Sequence, residues 1–229
     1  MPVASDTLLL RAENLFCERD DRVLFDGLCF ALPEGQILQI EGPNGSGKTT
    51  LIRILCGLSQ DFEGELYWRE TPLNQVVTEF RQASVYFGHN TGVKLALTAQ
   101  ENLVWMAQIK GLPGGQEQLQ RKIDAALARV GLQGFEDVPL FTLSAGQKRR
   151  VALAGLLLQS MPLWILDEPF TAIDKAGVSA LETLIVEHAE QGGSVILTTH
   201  HQLAIAPEKL QKLTLGQAAA QLVEEGNGV

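Results

Sequence analysis

GPNGSGKTT, residues 42–50, is the most informative stretch of this chain, and the surrounding sequence is best interpreted outward from it. A short apolar run at 36–40 leads into it, and an amphipathic stretch beginning at Leu51 follows. The pattern GxxxxGK[ST] between a strand and a helix predicts a phosphate-binding loop. Its glycines let successive backbone N–H groups point inward, and the helix adds the positive end of its dipole.

Every residue of this loop is a candidate contact for a nucleoside triphosphate. Lys48 is expected to reach the β- and γ-phosphates, and the Thr49 hydroxyl is expected to bind Mg²⁺. The remaining candidates line the phosphates with backbone or small side chains: Gly42, Pro43, Asn44, Gly45, Ser46, Gly47 and Thr50. The loop alone predicts a P-loop NTPase that uses ATP and Mg²⁺, without saying which kind.

A second set of candidates ends the apolar run at 163–166, where Asp167 and Glu168 follow directly. An Asp at the carboxyl end of a buried strand would lie beside Mg²⁺ bound to Thr49. The adjacent Glu168 can polarise the attacking water as a general base. An apolar strand with an ordinary exposed acidic turn is the alternative, and the preceding phosphate loop favours the functional interpretation.

The rest of the chain alternates between strand and helix patterns. Alternating apolar residues at 8–10 and 23–32 predict strands joined by a turn at Asp20-Asp21. Helical periodicity dominates 91–159, where Thr98 and Glu101 predict a capping box, and strand character returns at 194–198. We expect an α/β fold with a mostly parallel sheet. The expected single domain has a catalytic core at 1–90 and 160–215, a helical subdomain at 91–159, and a C-terminal tail at 216–229.

Composition limits the possible function classes. The formal net charge of −9 provides no global field that would attract nucleic acid. Cys17, Cys29 and Cys56 lack metal-site spacing, so we interpret them as reduced core residues. The most apolar stretch, 151–166, is interrupted and shorter than the roughly 20 residues that a bilayer span needs. We expect neither a signal peptide nor a membrane span.

The segment LSAGQ, residues 143–147, predicts a helix capped by Ser144 with Gln147 at the third helical position. Such a helix start can also bind an anion. Here the chain resembles the ABC ATPases, whose signature is LSGGQ. In that family the segment completes the ATP site of the opposite subunit. The resemblance therefore implies a homodimer closed around ATP, with these signature residues at each site: Ser144, Ala145, Gly146 and Gln147.

The resemblance extends over nearly the whole chain. The segment 171–174 (TAID) is similar to the D-loop of that family, which makes Asp174 a candidate at the nucleotide. His200 ends the run TTH as the switch histidine does, and the resemblance implies that it contacts the γ-phosphate. It also implies a RecA-like core with an N-terminal antiparallel β subdomain and an inserted α-helical subdomain.

Three positions depart from the family pattern. Ala145 replaces the first glycine of the signature pair, which a helix start tolerates. Arg19 occupies the place of the aromatic residue that stacks on adenine; it either stacks through its guanidinium plane or is a solvated turn residue. The Q-loop position has no Gln. Asn90 or His89 is expected to replace it near Mg²⁺, and Asn90, which keeps the amide, is favoured.

Several stretches, including 88–94 (GHNTGVK), LSAGQKRRVALA and WILDEPFTAID, resemble the ATPase subunits of cytochrome c maturation (Ccm-type) haem exporters. That resemblance implies a peripheral ATPase on the cytoplasmic side of a bacterial inner membrane, docked on integral membrane subunits. Haem is not expected on this chain. The alternatives are an ABC transporter with another substrate, a non-transport ABC ATPase acting on nucleic acid or ribosomes, a P-loop GTPase switch and an idle scaffold.

Overall fold

A computed structural model describes residues 7–216 and the backbone of 222–223. Its strands are β1 Leu8–Arg19, β2 Arg22–Pro33, β3 Ile37–Glu41, β4 Glu63–Trp68, β5 Thr71–Pro72, β6 Ser84–Phe87, β7 Leu163–Asp167, β8 Ser194–Thr198, β9 Leu210–Thr214 and β10 Leu222–Val223. Its α-helices are α1 Lys48–Leu55, α2 Val77–Ala83, α3 Ala99–Ile109, α4 Gln116–Arg129, α5 Ala145–Leu157 and α6 Lys175–Glu190.

The chain divides into two compact units. The sheet unit comprises the described residues of 1–88, 161–169 and 185–229, and the helical unit comprises 89–160 and 170–184. Helix α6 contributes residues to both units. The assignment of 1–90 and 160–215 to a catalytic core and of 91–159 to a helical subdomain stays a prediction.

The sheet unit contains both sheets of the described chain. The first is an antiparallel sheet in the order β2-β1-β4-β5, and the β1–β2 hairpin turns at Asp20-Asp21 as expected. Both turn residues have positive φ, which Asp tolerates better than most residues. The second sheet has the order β10-β9-β3-β8-β7-β6 and is parallel apart from β10. The predicted α/β class with a mostly parallel sheet is therefore confirmed.

The parallel register determines where the candidate site residues lie. Strands β3, β8 and β7 are neighbours, and Thr198 pairs with Ile40 on one side and with Asp167 on the other. Because parallel strands end at the same edge of a sheet, the phosphate loop after β3 and the carboxylates ending β7 share that edge. Ligands of open α/β sheets bind at this carboxyl edge.

One hydrophobic core joins the two sheets and α1. It includes Leu10 and Leu28 from the first sheet, Ile40 and Ile165 from the second, and Ile52 from the helix. The predicted apolar face of α1 is buried, because Leu51, Ile52, Ile54 and Leu55 are all essentially inaccessible to solvent. This packing fixes the start of α1, and hence the phosphate loop, against the sheet.

In the helical unit, α3, α4 and α5 pack against one another. The predicted capping box of α3 is present: Thr98 Oγ1 accepts from the Glu101 backbone N–H at 3.1 Å, and Glu101 accepts from the Thr98 backbone N–H at 2.8 Å. Buried Asn102 then binds the backbone of Lys94 through both its amide oxygen and its amide nitrogen. These bonds hold the loop before α3 to the helix.

Some expectations were wrong or incomplete. The cysteines are free, but Cys29 is exposed, not in the core, because its side chain points outward on β2 between buried Leu28 and Phe30. Sequence patterns also missed α2 and the short strands β5, β9 and β10. The predicted tail at 216–229 lies outside the described residues except for Gly216 and β10. No helix in the described ranges is long and apolar enough to span a bilayer.

His188 of α6 should make folding stability dependent on pH. Its ring stacks on Trp164 with centroids 4.0 Å apart, and burial lowers its pKa from 6.5 to about 4. Below pH 6.5 the unfolded chain takes up the proton before the folded chain does, so this contribution to stability is lost as the pH falls toward 4. We expect the melting temperature to fall more steeply between pH 7 and 4.5 in the wild type than in His188→Phe, which keeps the stacking. If the melting temperatures of the two proteins fell equally with pH, this assignment would be refuted.

Candidate functional site

The phosphate loop has the backbone conformation that its glycines predict. Gly42, Gly45 and Gly47 have φ values of 144°, 78° and 96°, which residues with side chains rarely adopt. A Cβ at Gly42 would lie 2.7 Å from the carbonyl oxygen of Leu215, so this position has no room for one. The hydroxyl of buried Ser46 has no hydrogen-bond partner among the described residues. Pro43, Asn44 and Gly45 are exposed at the loop surface, and Thr50 lies half-buried in the first turn of α1.

Lys48 is largely buried within this loop. Its ammonium donates hydrogen bonds to the carbonyl oxygens of Gly42 at 2.7 Å and Pro43 at 3.2 Å. The side chain is therefore folded back over the loop, with its charge held where phosphate oxygens would be bound. The geometry fits the predicted role of Lys48, whose ammonium is bonded to backbone carbonyl oxygens of the loop.

The two carboxylates at the end of β7 are held differently. Asp167 is buried, and its Oδ1 accepts a hydrogen bond from Thr198 Oγ1 at 2.7 Å. Glu168 leaves the strand with a φ of 49°, in the left-handed region. Its backbone N–H donates to the same Thr198 hydroxyl at 2.9 Å. Non-glycine residues in this conformation are uncommon and concentrate at functional sites.

His200 lies two residues after the end of β8, and its side chain is exposed. Its Nε2 is 3.6 Å from Glu168 Oε1, so the structure brings together the two predicted catalytic side chains. The neighbouring His201 is exposed, as expected, and its backbone N–H donates to Thr199 Oγ1 at 2.9 Å. An imidazole and a carboxylate at this distance can act together on a phosphate and an attacking water.

The donor atoms at this edge suit Mg²⁺. The exposed Thr49 hydroxyl and the Asp167 carboxylate are hard oxygen donors, which Mg²⁺ prefers. Within the described residues no group of three or more His, Cys, Asp or Glu side chains could hold a metal by itself. Mg²⁺ is usually bound by one or two protein groups together with phosphate oxygens and water.

The predicted helix start at Ser144 is present in the helical unit, and its binding of an anion stays a prediction. Ser144 caps α5: its Oγ accepts from the Gln147 backbone N–H at 3.2 Å, and Gln147 Oε1 accepts from the Ser144 backbone N–H at 2.9 Å. Ser144 and Ala145 are exposed. The first turn of α5 therefore presents backbone N–H groups and the positive end of the helix dipole to solvent.

The TAID segment packs against this helix start within the same unit. A Cβ on Gly146 would lie 2.7 Å from the carbonyl oxygen of Ala172, so the second position of the signature pair has to be glycine. Asp174 Oδ1 accepts from the Gly177 backbone N–H at 2.8 Å, and its Oδ2 lies 3.9 Å from an Arg150 guanidinium nitrogen. The exposed Ala145 meets no such constraint.

The assignments of Arg19 to the adenine and of Asn90 or His89 to Mg²⁺ stay predictions. Arg19 is 69% exposed, and its guanidinium lies 3.9 Å from the carboxylate of Asp20, the next residue in the chain. A guanidinium nitrogen of Arg22, on the other strand of that hairpin, lies 3.8 Å from a Cβ built on Gly45 of the phosphate loop. Asn90 and His89 are both exposed in the helical unit, and the His89 carbonyl oxygen lies 3.5 Å from an Arg149 nitrogen that donates to it.

Two residues near the site were missed by sequence reasoning. Thr198 was noted only as part of the run before His200, yet its hydroxyl contacts both Asp167 and the Glu168 backbone. Arg22 was not singled out, although its guanidinium lies beside Gly45 of the phosphate loop. A hydroxyl at a strand end is a weak signal, because strand register determines which neighbour it meets.

Comparisons with known proteins agree with this geometry. A family model described as "ABC transporter" matches residues 25–171. A cytochrome c biogenesis ATP-binding export protein of Hahella chejuensis is 50% identical over 215 residues, covering 93% of this chain and 99% of the relative. The protein of the same name from Pseudomonas putida is 52% identical over 214 residues, which cover 93% of this chain and 100% of the relative.

Solved structures show the same fold. The ATP-binding subunit of an ABC transporter superimposes with a TM-score of 0.78 at 25% identity, covering 93% of this chain and 88% of the other. A dimeric ATP-binding cassette in a post-hydrolysis state, with ADP and Pi bound, gives a TM-score of 0.81 at 23% identity. The superposition covers 96% of this chain and 100% of the other.

Proposed function

The chain belongs to the ABC transporter family as an ATP-binding, ATP-hydrolysing subunit of the cytochrome c biogenesis type, and on this premise we propose that it powers haem export or delivery. Half of the 215 aligned residues are identical to those of a relative named for cytochrome c biogenesis, and the alignment covers almost the full length of both chains. Cytochromes c carry haem attached to the polypeptide, so haem is the cargo that fits this role. Haem recognition is assigned to the membrane subunits, not to this chain.

The observation that carries the catalytic part of the proposal is the carboxyl edge of the second sheet. There the Lys48 ammonium is fixed within the phosphate loop, and Asp167, Glu168 and His200 lie at or just beyond the ends of the neighbouring strands β7 and β8. Lys48 binds the β- and γ-phosphates, and Glu168 orients and deprotonates the attacking water. His200 holds the γ-phosphate and Glu168 in position relative to each other. Thr49 and Asp167 hold Mg²⁺, with Asn90 as a further candidate. When bound, the metal neutralises charge on the phosphate oxygens.

The proposed working unit is a homodimer closed by nucleotide. The triphosphate bound by one phosphate loop is covered by the α5 start of the second copy, where Ser144 and the following N–H groups are exposed. Asp174 and Gln147 belong to the same surface, and Arg19 is assigned to the adenine. ATP then holds the two copies together, and loss of the γ-phosphate separates them.

The proposed location is the cytoplasmic face of a bacterial inner membrane, where integral membrane subunits use the closing and opening of the dimer. The segment 91–104, tied to α3 through Asn102, is the proposed route to those subunits. A role on nucleic acid fits less well, because the net charge of −9 disfavours binding to a polyanion.

Co-purification tests this assignment. A tagged chain, extracted from membranes with mild detergent, is expected to bring down integral membrane proteins, and the complex is expected to contain haem by its absorption spectrum. A recovered complex that hydrolyses ATP and contains haem supports the proposal. Recovery with a sugar or metal permease would refute the cargo and leave the transport role. Recovery with ribosomes or DNA, with ATPase activity stimulated by nucleic acid, would refute both.

A further inference from the structure

Thr198, the last residue of β8, contacts both Asp167, the last residue of β7, and the backbone of Glu168, which follows that strand. It is fully buried and pairs with Asp167 in the parallel register. Its single hydroxyl makes two hydrogen bonds: it donates to Asp167 Oδ1 at 2.7 Å and accepts from the Glu168 backbone N–H at 2.9 Å. The hydroxyl thus uses both its donor and its acceptor capacity on adjacent residues of the neighbouring strand.

The bond to Asp167 determines how its carboxylate is presented. Oδ1 is held by Thr198, and within the described chain Oδ2 accepts no side-chain hydrogen bond. A carboxylate fixed by one oxygen has a defined orientation for the other, and Oδ2 is the atom through which Asp167 would bind a cation. Groups that orient metal ligands in this way commonly change metal affinity or activity 10–100-fold when removed.

The bond to Glu168 acts on the backbone. Glu168 has a φ of 49°, uncommon for a residue with a side chain, and the strand geometry does not extend through it. The Thr198 hydroxyl fixes the N–H of this residue at the point where the chain turns. Its side chain is consequently directed so that Oε1 lies 3.6 Å from His200 Nε2, and His200 itself follows Thr198 by two residues.

We propose that Thr198 is a positioning residue for ATP hydrolysis, orienting the Mg²⁺-binding carboxylate of Asp167 and the general base Glu168 through one hydroxyl. This inference rests on the proposed function of the site. Thr198 does not itself touch the nucleotide. Its effect passes through the two carboxylates, so it concerns the Mg²⁺ requirement and the chemical step more than ATP affinity.

Ser194 provides a matched control at the opposite end of β8. It is also fully buried, and its hydroxyl also makes two bonds, accepting from the Gly35 backbone N–H at 3.1 Å and donating to the Pro33 carbonyl oxygen at 3.0 Å. Ser194→Ala therefore removes the same kind of buried bridge from the same strand, far from the carboxyl edge. It reports what the loss of such a bridge does to folding alone.

The test compares Thr198→Val, Thr198→Ser and Ser194→Ala in the full chain assembled on its membrane subunits. ATP hydrolysis is measured against ATP and against free Mg²⁺, and melting temperatures are recorded. For Thr198→Val we expect kcat about 10–100-fold lower and a higher Mg²⁺ concentration at half-maximal rate, with the KM for ATP within a few-fold of the wild type. Thr198→Ser should recover most of the activity, and Ser194→Ala should lose stability while keeping its kcat and Mg²⁺ dependence.

Two results would overturn the inference: Thr198→Val with wild-type kcat and Mg²⁺ dependence, or Thr198→Ser as impaired as Thr198→Val. Equal losses in Ser194→Ala would likewise reduce Thr198 to a folding role. If the valine variant does not fold, Thr198→Ala takes its place with the same expectations. Failure of the proposed function appears separately, as a wild-type complex that does not hydrolyse ATP.

Discussion

Replacing Glu168 with Gln is expected to lower ATP turnover by about 10²-fold or more while preserving ATP binding. The amide keeps the size of the side chain but cannot take a proton from the attacking water. The backbone of Glu168 is held by Thr198, and its side chain lies 3.6 Å from His200, so the substitution should leave the site geometry unchanged. Phosphate release by the membrane-assembled complex at saturating Mg²⁺ and ATP measures the effect.

The control is Glu190→Gln, which neutralises an exposed carboxylate at the end of α6. It should hydrolyse ATP at the wild-type rate. If Glu168→Gln retained wild-type turnover as well, Glu168 would not be the general base, and the assignment of the β7 carboxylates would have to be changed.

The same variant tests the dimer. With hydrolysis blocked, ATP should hold two copies together, which light scattering or small-angle X-ray scattering detects as a doubled mass. Adding Ser144→Asp should abolish this dimer, since Asp caps a helix as well as Ser does but places a negative charge against the phosphates. If the variant stayed monomeric with ATP, both alone and with its membrane subunits, the proposed nucleotide-closed homodimer would be contradicted.

Lys48→Ala is expected to weaken ATP binding by more than about tenfold and to reduce hydrolysis to background. Hydrogen bonds to charged groups contribute roughly 1.5–3 kcal/mol each, and the ammonium of Lys48 is placed for more than one phosphate oxygen. It is also the cation bonded directly to the loop, through the carbonyl oxygens of Gly42 and Pro43. Titration with a fluorescent ATP analogue or by calorimetry gives the change in affinity.

Lys122→Ala, an exposed lysine of α4, removes the same charge away from the loop and should bind ATP normally. Because Lys48 also bonds the loop carbonyls, the melting temperature without nucleotide shows whether the loop has changed. A folded Lys48→Ala protein with wild-type affinity would mean that the backbone N–H groups alone account for phosphate binding.

Much of the site could be predicted from sequence because its parts are local. The glycines of 42–47, the capping boxes at Thr98 and Ser144, and the Asp20-Asp21 turn depend on residues a few positions apart. In these cases the chemical identity of a residue and the backbone conformation that it favours are enough. The carboxyl end of β7 was also predictable, since its apolar run stops where Asp167 and Glu168 begin.

Other features required contacts between residues far apart in the chain. Cys29 was expected in the core, but which face of β2 is buried depends on what packs against it. Gly146 is constrained by the Ala172 carbonyl oxygen, a neighbour that no local pattern reveals. The choice between Arg19 and Arg22 likewise depends on how the hairpin lies over the phosphate loop.

The sequence by itself determined the phosphate loop, the capped starts of α3 and α5 and the Asp20-Asp21 turn, because steric preferences and capping bonds act over a few residues. Only the tertiary structure placed the Thr198 hydroxyl between Asp167 and the Glu168 backbone. That contact joins residues some thirty positions apart, and a shift of one residue in the β7–β8 register would turn the side chain to the other face of the sheet. The packing of the whole sheet sets that register.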